Sequence, residues 1–126
     1  MQETLILVLF LSLVCEADQA MPIEPNRVYI IPPNKFLAVS RGMLQLSKPP
    51  EPRSGQTSID FFFRSLGEDL RERAIAIIFS GTGSHGTQGL KEVKIFGGMV
   101  MVQEPDSAEH DQMPRNAIAS AKSITS

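Results

Sequence analysis

The sequence has 126 residues, of which 42% are hydrophobic, and a formal net charge of −2, as expected for one soluble globular domain. This charge excludes the usual nucleic-acid-binding surface, which needs clustered Lys and Arg in excess. The sole cysteine, Cys15, cannot form an internal disulfide, so composition does not indicate an oxidising compartment; its neighbours favour a small buried side chain over a catalytic thiol.

The chain opens on an apolar run, Leu5 to Val14, interrupted by Ser12 alone. The run is too short to cross a bilayer as a helix, so no membrane span is predicted. It is also a candidate secretory signal with cleavage at Ala20, but Glu3 precedes it and no Lys or Arg does, whereas a signal needs a positive start. A buried element of the domain, or a non-native start on a truncated chain, is the favoured interpretation.

Three short β-type runs follow, at Val28–Ile31, Phe36–Val39 and Met43–Leu46. The last two flank a turn that contains Arg41-Gly42, which predicts an antiparallel hairpin. The segment from Lys48 to Gln56 is rich in proline and polar residues and predicts an exposed loop.

A helix is predicted next, with Thr57 or Ser58 as its N-cap. Apolar side chains recur at helical spacing along one face, which indicates a core-facing stripe and not a surface for stacking nucleic-acid bases. The members of this stripe are Ile59, Phe62, Phe63, Leu66 and Leu70.

The second half alternates strand and helix. Ala74–Phe79 has too few polar residues for a half-exposed strand, so we expect a central, parallel strand. Thr87 is predicted to cap a helix that runs to Phe96 and ends at Gly97-Gly98. Met99–Val102 is the next parallel strand, and Pro114 suits the first position of a final helix. This order predicts an α/β fold with a parallel sheet.

The segment from Ala74 to Gly89, AIAIIFSGTGSHGTQG, is an apolar strand that runs into a glycine-rich turn and a helix. In open parallel sheets, chemistry gathers at such turns, and His85 is best placed to project a side chain there. One interpretation is a dinucleotide-binding unit, although it would lie late in the chain with little sequence after it. That unit would use Gly81, Gly83, Gly86 and Glu104.

A second interpretation rests on five segments that occur in one order along the chain. The segments are ADQAMPIEPNRVYIIPPN (Ala17–Asn34), SIDFFFRSLGEDL (Ser58–Leu70), SGTGSHGTQGL (Ser80–Leu90), GGMVMVQEP (Gly97–Pro105) and MPRNAIAS (Met113–Ser120). In these the chain resembles the catalytic domain of CheB-type protein-glutamate methylesterases, especially those fused to chemotaxis methyltransferases. The resemblance runs from about Val14 to Ala121. It divides the chain into an unmatched apolar segment, 1–13, and a partial methylesterase domain, 14–126.

The resemblance implies a Rossmann-like parallel sheet with helices on both faces, a small β-hairpin insertion, and N-terminal strands that are missing from this sequence. It implies a cytoplasmic hydrolase of chemotaxis-type two-component (phosphorelay) signalling. The implied partners are methylated glutamates of chemoreceptors or other signalling proteins, together with a missing N-terminal half. No cofactor and no metal are implied.

The family's catalytic triad is a serine in a G-x-S-x-G-G-type turn, a histidine shortly after it, and an aspartate in the later glycine turn. His85 stands where the aspartate belongs, and the serine turn and first histidine are expected before Val14, where this sequence holds neither. Backbone donors near Thr82 and Gly83 resemble the family's oxyanion-stabilising turn. Arg115 matches a position near the active-site face, where it either binds a carboxylate or lies on the helix surface. We therefore predict that the chain by itself is catalytically inactive.

Other nucleophiles and ligands are disfavoured. Ser80 and Ser84 lie beside His85 in sequence, but neighbours on a tight turn rarely pair as a Ser–His dyad. The second histidine, His110, lies between Glu109 and Asp111, where a wet loop is favoured over a metal site. Three functions remain open: an inert part of the enzyme, a non-catalytic receptor- or partner-binding module, and the dinucleotide-binding unit.

The missing strands have a consequence for folding. Parallel strands are normally covered on both faces and paired on both sides, so their loss leaves an unpaired apolar edge. We expect a marginally stable chain that aggregates unless a partner fills the gap.

Overall fold

The computed structural model describes residues 13–51, 53, 55–79, 81 and 86–125. The strands are β1 (Leu13–Glu16), β2 (Met21–Pro22), β3 (Arg27–Ile30), β4 (Phe36–Ser40), β5 (Met43–Ser47), β6 (Ile75–Ile78) and β7 (Met99–Val102). The helices are α1 (Ser58–Leu70), α2 (Thr87–Ile95) and α3 (Gln112–Thr125), with 3₁₀ turns at Arg71–Arg73 and Pro105–Ser107.

The strands form two parallel pairs and one antiparallel sheet. β1 pairs with β3, and β6 pairs with β7, both in parallel. The antiparallel sheet has the order β2-β5-β4 and contains the predicted hairpin, with Leu37 opposite Leu46. The predicted α/β class, its parallel strands and the hairpin are therefore confirmed.

Helix α1 lies between two hydrophobic clusters. One cluster combines β6 with the other two helices through Ala76, Leu90 and Ala117, and the second lies beneath the antiparallel sheet around Leu37. Within the predicted apolar stripe of α1, Leu66 is the one residue that contacts both clusters. The prediction that this stripe faces the core is confirmed.

Thr57 caps α1, as one of the two predicted caps. Its hydroxyl oxygen accepts a hydrogen bond from the backbone N–H of Asp60 at 3.1 Å, which satisfies one of the donors that the first turn leaves without a helical partner. The same hydroxyl donates to the Asp60 carboxylate at 2.8 Å, so threonine and aspartate hold each other in place.

The predicted cap of α2 is wrong by one residue. Gly86 occupies the cap position with φ 89°, and Thr87 is the first helical residue. Gly86 has no side chain to accept a hydrogen bond, so the acceptor comes from another helix. The carboxylate Oδ1 of Asp60 accepts the backbone N–H of Gly89 at 2.8 Å. A neighbouring helix can supply this acceptor because α1 and α2 pack closely.

The predicted start of α3 is also corrected. The helix begins at Gln112, so Pro114 is its third residue and not its first, and it is fully buried. Proline is tolerated here because the first-turn N–H groups have no partner within the helix.

Strand β6 departs from the expectation of a central strand covered on both faces. Ala76 and Ile78 are buried, whereas Ile75 and Ile77 are exposed, and β7 is its sole partner among the described strands. The apolar composition of β6 predicts that both of its faces are buried. In the structure, α2 and α3 pack against the Ala76–Ile78 side, and no described helix covers the other.

Two strands near the start of the described chain were not predicted. β1 overlaps the end of the apolar run Leu5–Val14, and β2 has two residues that pair with Met43 and Leu44 of β5. Strands this short carry little periodic signal. The remainder of the run, residues 5–12, lies outside the described residues, so most of the candidate signal sequence does too.

An aspartate of α1 holds the hairpin turn. The carboxylate of Asp69 accepts the backbone N–H of Arg41 at 2.7 Å and that of Gly42 at 3.1 Å. Asp69→Ala is expected to lower the free energy of unfolding by about 1–3 kcal/mol in urea titrations, because it leaves both turn donors without their acceptor. Glu68→Ala is the control: this exposed neighbour pairs with Arg64, so its loss is expected to cost less than about 1 kcal/mol. Equal losses of unfolding free energy in Asp69→Ala and Glu68→Ala would contradict the role of Asp69 in holding the hairpin turn.

Candidate functional site

The glycine turn after β6 is fixed at its entry by Gly81. Its backbone N–H donates to the carbonyl of His110 at 2.8 Å, and its carbonyl accepts the N–H of Met113 at 3.1 Å. The sulfur of Met113 occupies the space that a Cβ at position 81 would need. A side chain at position 81 would have to displace the flexible end of Met113. The two backbone hydrogen bonds anchor the turn to the start of α3.

The exit of the turn is fixed by Gly86. Its φ of 89° lies in the left-handed region, where side chains are strained, and a Cβ would come within about 3.1 Å of Ile59 and Ile78. Its carbonyl accepts the N–H of Leu90 at 2.9 Å, which begins the hydrogen-bond ladder of α2. Both ends of the turn are thus held against the core.

The residues between these anchors include most of the predicted site. Thr82, Gly83, Ser84 and His85 lie outside the described residues, and so does Ser80. The predicted oxyanion donors at Thr82 and Gly83 and the role of His85 therefore stay predictions. The turn that carries them follows the carboxyl end of β6 and precedes the N-terminus of α2, as the sequence predicts.

Arg115 lies on the first turns of α3, next to the anchor residue Met113. Its guanidinium donates to the carboxylate of Asp111 at 2.7 Å and to that of Asp106 at 3.2 Å. All three side chains are exposed or partly so. Two carboxylates already neutralise this cation, so a substrate carboxylate would have to compete with them. Its predicted substrate-side role stays a prediction.

The hydrogen bond from Arg115, together with its charge, lowers the pKa of Asp111. A depressed pKa in the fold means that the pairing is present above the ordinary aspartate pKa and is lost as the pH falls through the lowered value. We expect an NMR titration to place the midpoint of the Asp111 carboxyl group below that of an unpaired aspartate. In Arg115→Gln the midpoint is expected to rise to that of an unpaired aspartate. Arg64→Gln, which changes a guanidinium on α1, is expected to leave the midpoint in place. An unchanged midpoint in Arg115→Gln would contradict the pairing.

The loop before α3 reaches the turn through its backbone. The carbonyl of His110 contacts Gly81, so the segment that holds Glu109 and Asp111 lies beside the candidate site. No three His, Cys, Asp or Glu side chains of the described residues come together as a metal site. Cys15 is a free thiol of intermediate exposure.

Comparison with known proteins decides between the interpretations of the turn. The family model described as CheB methylesterase matches residues 11–125, which include the glycine turn and both of its anchors. The chain belongs to the CheB methylesterase family.

Related proteins and a solved structure agree with this membership. An uncharacterized 104.1 kDa protein of Rhodobacter capsulatus is 37% identical over 106 residues, which are 84% of this chain and 11% of that protein. The protein-glutamate methylesterase FrzG of Myxococcus xanthus is 36% identical over 106 residues, which are 83% of this chain and 32% of that protein. The crystal structure of the Thermotoga maritima CheB methylesterase catalytic domain matches with a TM-score of 0.73 and 27% identity.

The match to the CheB catalytic domain is partial. It covers 84% of this chain but 58% of the Thermotoga domain, and the two curated relatives are spanned to a third of their length or less. The CheB family membership accounts for the glycine pattern that had also fitted a dinucleotide-binding unit. No helix of the described residues combines the length and the apolarity that crossing a membrane requires.

Some residues that shape this CheB-family turn had no signal in the sequence. Asp60 supplies the acceptor for the N-terminus of α2, although it lies far away in the chain. The His110 carbonyl and the Met113 sulfur anchor Gly81. The Met113–Ser120 segment carried part of the family resemblance. Its first residue, Met113, packs against Gly81.

Proposed function

We propose that this chain is part of a protein-glutamate methylesterase domain and does not hydrolyse the ester by itself. The observation that carries the proposal is His85, in a family whose catalytic triad has an aspartate at this position of the turn. These 126 residues also contain no G-x-S-x-G-G segment. The family match and the partial coverage of the Thermotoga domain support the same conclusion.

The chemistry explains why this replacement matters. Ester hydrolysis by this route needs a serine oxygen, an imidazole that accepts its proton, and an anion that orients the imidazole and stabilises its protonated form. Neutral histidine presents one acceptor nitrogen and no negative charge, and protonated histidine repels the imidazolium that it should stabilise. Oxyanion donors at Thr82 and Gly83 would lower the barrier only where an attacking group is present.

A hydrolysis assay tests the proposal. The purified 126-residue polypeptide is incubated with a chemoreceptor fragment methylated on its glutamates, and methanol release is measured. We expect no release above the buffer rate, whereas the Thermotoga CheB catalytic domain serves as the positive control. Turnover by this polypeptide that disappears in Ser80→Ala or Ser84→Ala would overturn the proposal, since it would reveal a rebuilt nucleophile.

The biological setting is proposed from the family. We place the chain in chemotaxis-type signalling in the cytoplasm, with methylated glutamates of chemoreceptors or other signalling proteins as the substrate class of the domain. This setting is supported by the name of the Myxococcus relative, a protein-glutamate methylesterase. Binding of the methylated receptor fragment to the 126-residue polypeptide, measured by calorimetry, separates a receptor-binding module from an inert part of the enzyme.

A non-catalytic partner-binding role is the second candidate. It is favoured by the apolar, exposed side of β6 and β7, which carries Ile75, Ile77, Met99 and Met101. A surface of this kind indicates a contact with another polypeptide.

A further inference from the structure

Arg115 bridges two points of the loop that connects β7 to α3. Its Nη2 donates to the carboxylate of Asp106 at 3.2 Å, and its Nε donates to that of Asp111 at 2.7 Å. Asp106 lies in the 3₁₀ turn that follows β7, whereas Asp111 immediately precedes α3. The backbone N–H of Arg115 also donates to the carbonyl of Asp111 at 3.0 Å. We call Arg115, Asp106 and Asp111 the loop clamp.

The segment that the loop clamp spans also anchors the glycine turn. His110, directly before Asp111, accepts the backbone N–H of Gly81 through its carbonyl at 2.8 Å. The N–H of Met113, two residues before Arg115, donates to the carbonyl of Gly81 at 3.1 Å. Because both of these hydrogen bonds come from within the clamped segment, the position of that segment decides where the turn begins.

The first half of the loop is folded on itself. The backbone N–H of Ser107 donates to the carbonyl of Glu104 at 3.0 Å, and the hydroxyl of Ser107 donates to the same oxygen at 2.7 Å. Asp106 lies between these two residues in the chain. Its ion pair with Arg115 therefore ties this folded half of the loop to helix α3.

A guanidinium suits this contact better than an ammonium. It presents N–H donors on several nitrogens in one rigid plane, so it can meet two separate carboxylates at once, whereas lysine presents one compact charge. The exposed fractions of the side chains are 57% for Arg115, 85% for Asp106 and 48% for Asp111. Ion pairs this exposed add little to global stability, so their effect is expected on local opening of the loop.

We propose that Arg115 is a positioning residue for the glycine turn. Through the loop clamp it keeps the carbonyl of His110 in place for the backbone N–H of Gly81, which fixes the entry of the turn after β6. The turn includes His85, where the family resemblance places the triad acid, so Arg115 acts on the candidate site without touching a substrate. The inference rests on the proposed function only in taking this turn as the site, because the anchoring of Gly81 does not require hydrolysis.

Amide hydrogen exchange tests the role of Arg115. The 126-residue polypeptide is isotopically labelled, and the protection of the Gly81 N–H against exchange is measured by NMR in deuterated buffer. Arg115→Gln is expected to lower this protection about fivefold, because the His110 carbonyl then leaves the Gly81 N–H more often. The N–H of Leu90, which donates to the carbonyl of Gly86 at the start of α2, is expected to keep its protection.

Arg64→Gln is the matched control. The guanidinium of Arg64 is 60% exposed and also lies between two carboxylates, that of Glu68 at 3.3 Å and that of Glu92 at 3.7 Å. These groups belong to α1 and α2 and not to the loop before α3. The control therefore removes a similar pair of contacts, and we expect it to leave the protection of Gly81 unchanged.

Two further variants separate the geometry of the loop clamp from other effects. Arg115→Lys keeps the charge and is expected to retain more of the Gly81 protection than Arg115→Gln does. Where circular dichroism shows that Arg115→Gln does not fold, Asp106→Asn replaces it, since this change weakens the loop clamp without altering α3. It is expected to lower the protection of Gly81 as well.

Three results would overturn the inference. The first is unchanged protection of Gly81 in Arg115→Gln, or in Asp106→Asn where that variant replaces it. The second is an equal loss of protection in Arg64→Gln, and the third is an Arg115→Lys variant that protects Gly81 no better than Arg115→Gln. Hydrolysis plays no part in these measurements, so methanol release in the assay above would overturn the proposed function and leave this inference standing.

Discussion

His85→Asp is expected to raise ester hydrolysis by about 10⁴-fold in a completed domain, in which the Thermotoga segment that this chain lacks precedes it in one polypeptide. The factor is that of removing the acid from a serine–histidine–aspartate triad. The family resemblance implies that the added segment supplies the serine and its imidazole. On this proposal, position 85 decides whether an anion faces the imidazole. A carboxylate there accepts the imidazole N–H and stabilises the imidazolium that forms as serine attacks. The measurement is the turnover number for methanol release from a methylated chemoreceptor fragment.

Ser84→Asp in the same completed domain is the matched control. It adds the same charge one residue earlier in the turn, so a general electrostatic effect would raise turnover in both variants. We expect Ser84→Asp to remain at the level of the parent. If the His85 parent already equals His85→Asp, then the acid comes from elsewhere and the argument about position 85 fails.

Gly89→Val is expected to lower the free energy of unfolding by about 3 kcal/mol, at the upper end of what overpacking a helix contact costs. A Cβ at position 89 would meet the side chain of Phe63 at 2.6 Å and the Cα of Asp60 at 3.0 Å. The backbone of α1 cannot yield as a flexible side chain would, so the two helices must separate. That separation also stretches the hydrogen bond from the Gly89 N–H to the Asp60 carboxylate, which caps α2.

The sign of this effect distinguishes packing from helix propensity. Valine is a better helix former than glycine, so a position with free space would gain a few tenths of a kcal/mol from the change. Gln88→Val is the control, because it puts the same β-branched side chain on an exposed position one residue earlier in α2. We expect it to cost less than about 0.5 kcal/mol in urea unfolding. A neutral or stabilising Gly89→Val would show that α1 and α2 do not meet as closely as the structure has them.

Much of the local structure was predictable because its causes are local. The apolar stripe of α1 and the Thr57 cap lie within one helix and its first turn, and both were predicted correctly. The hairpin was predicted from Arg41-Gly42, and Gly42 does adopt a positive φ of 74°. The predictions that failed concern the cap of α2, the start of α3 and the cover of β6. The residues that cap α2 and cover β6 lie in other parts of the chain.

The candidate site also has parts that the sequence predicts and parts that it does not. The strand–turn–helix order around His85 follows from sequence pattern, and the family resemblance supplied the meaning of that position. The anchoring of Gly81 by His110 and Met113 could not be inferred, because it joins two segments that are distant in the chain. Likewise, the pairing of Arg115 with Asp106 and Asp111 depends on how the loop before α3 folds back.

Residue types and their spacing were sufficient to establish the α/β class and the position of the glycine turn, since these follow from local periodicity. The replacement of the triad acid by His85 is implied by the family resemblance and stays a prediction. Tertiary structure alone decided which face of β6 and β7 is covered. Ile75 and Ala76 are both apolar, and nothing local distinguishes them; burial depends on whether a helix from elsewhere packs against the side on which each lies. The apolar sequence of a strand therefore predicts that it is buried. Which element buries it depends on how the whole chain folds.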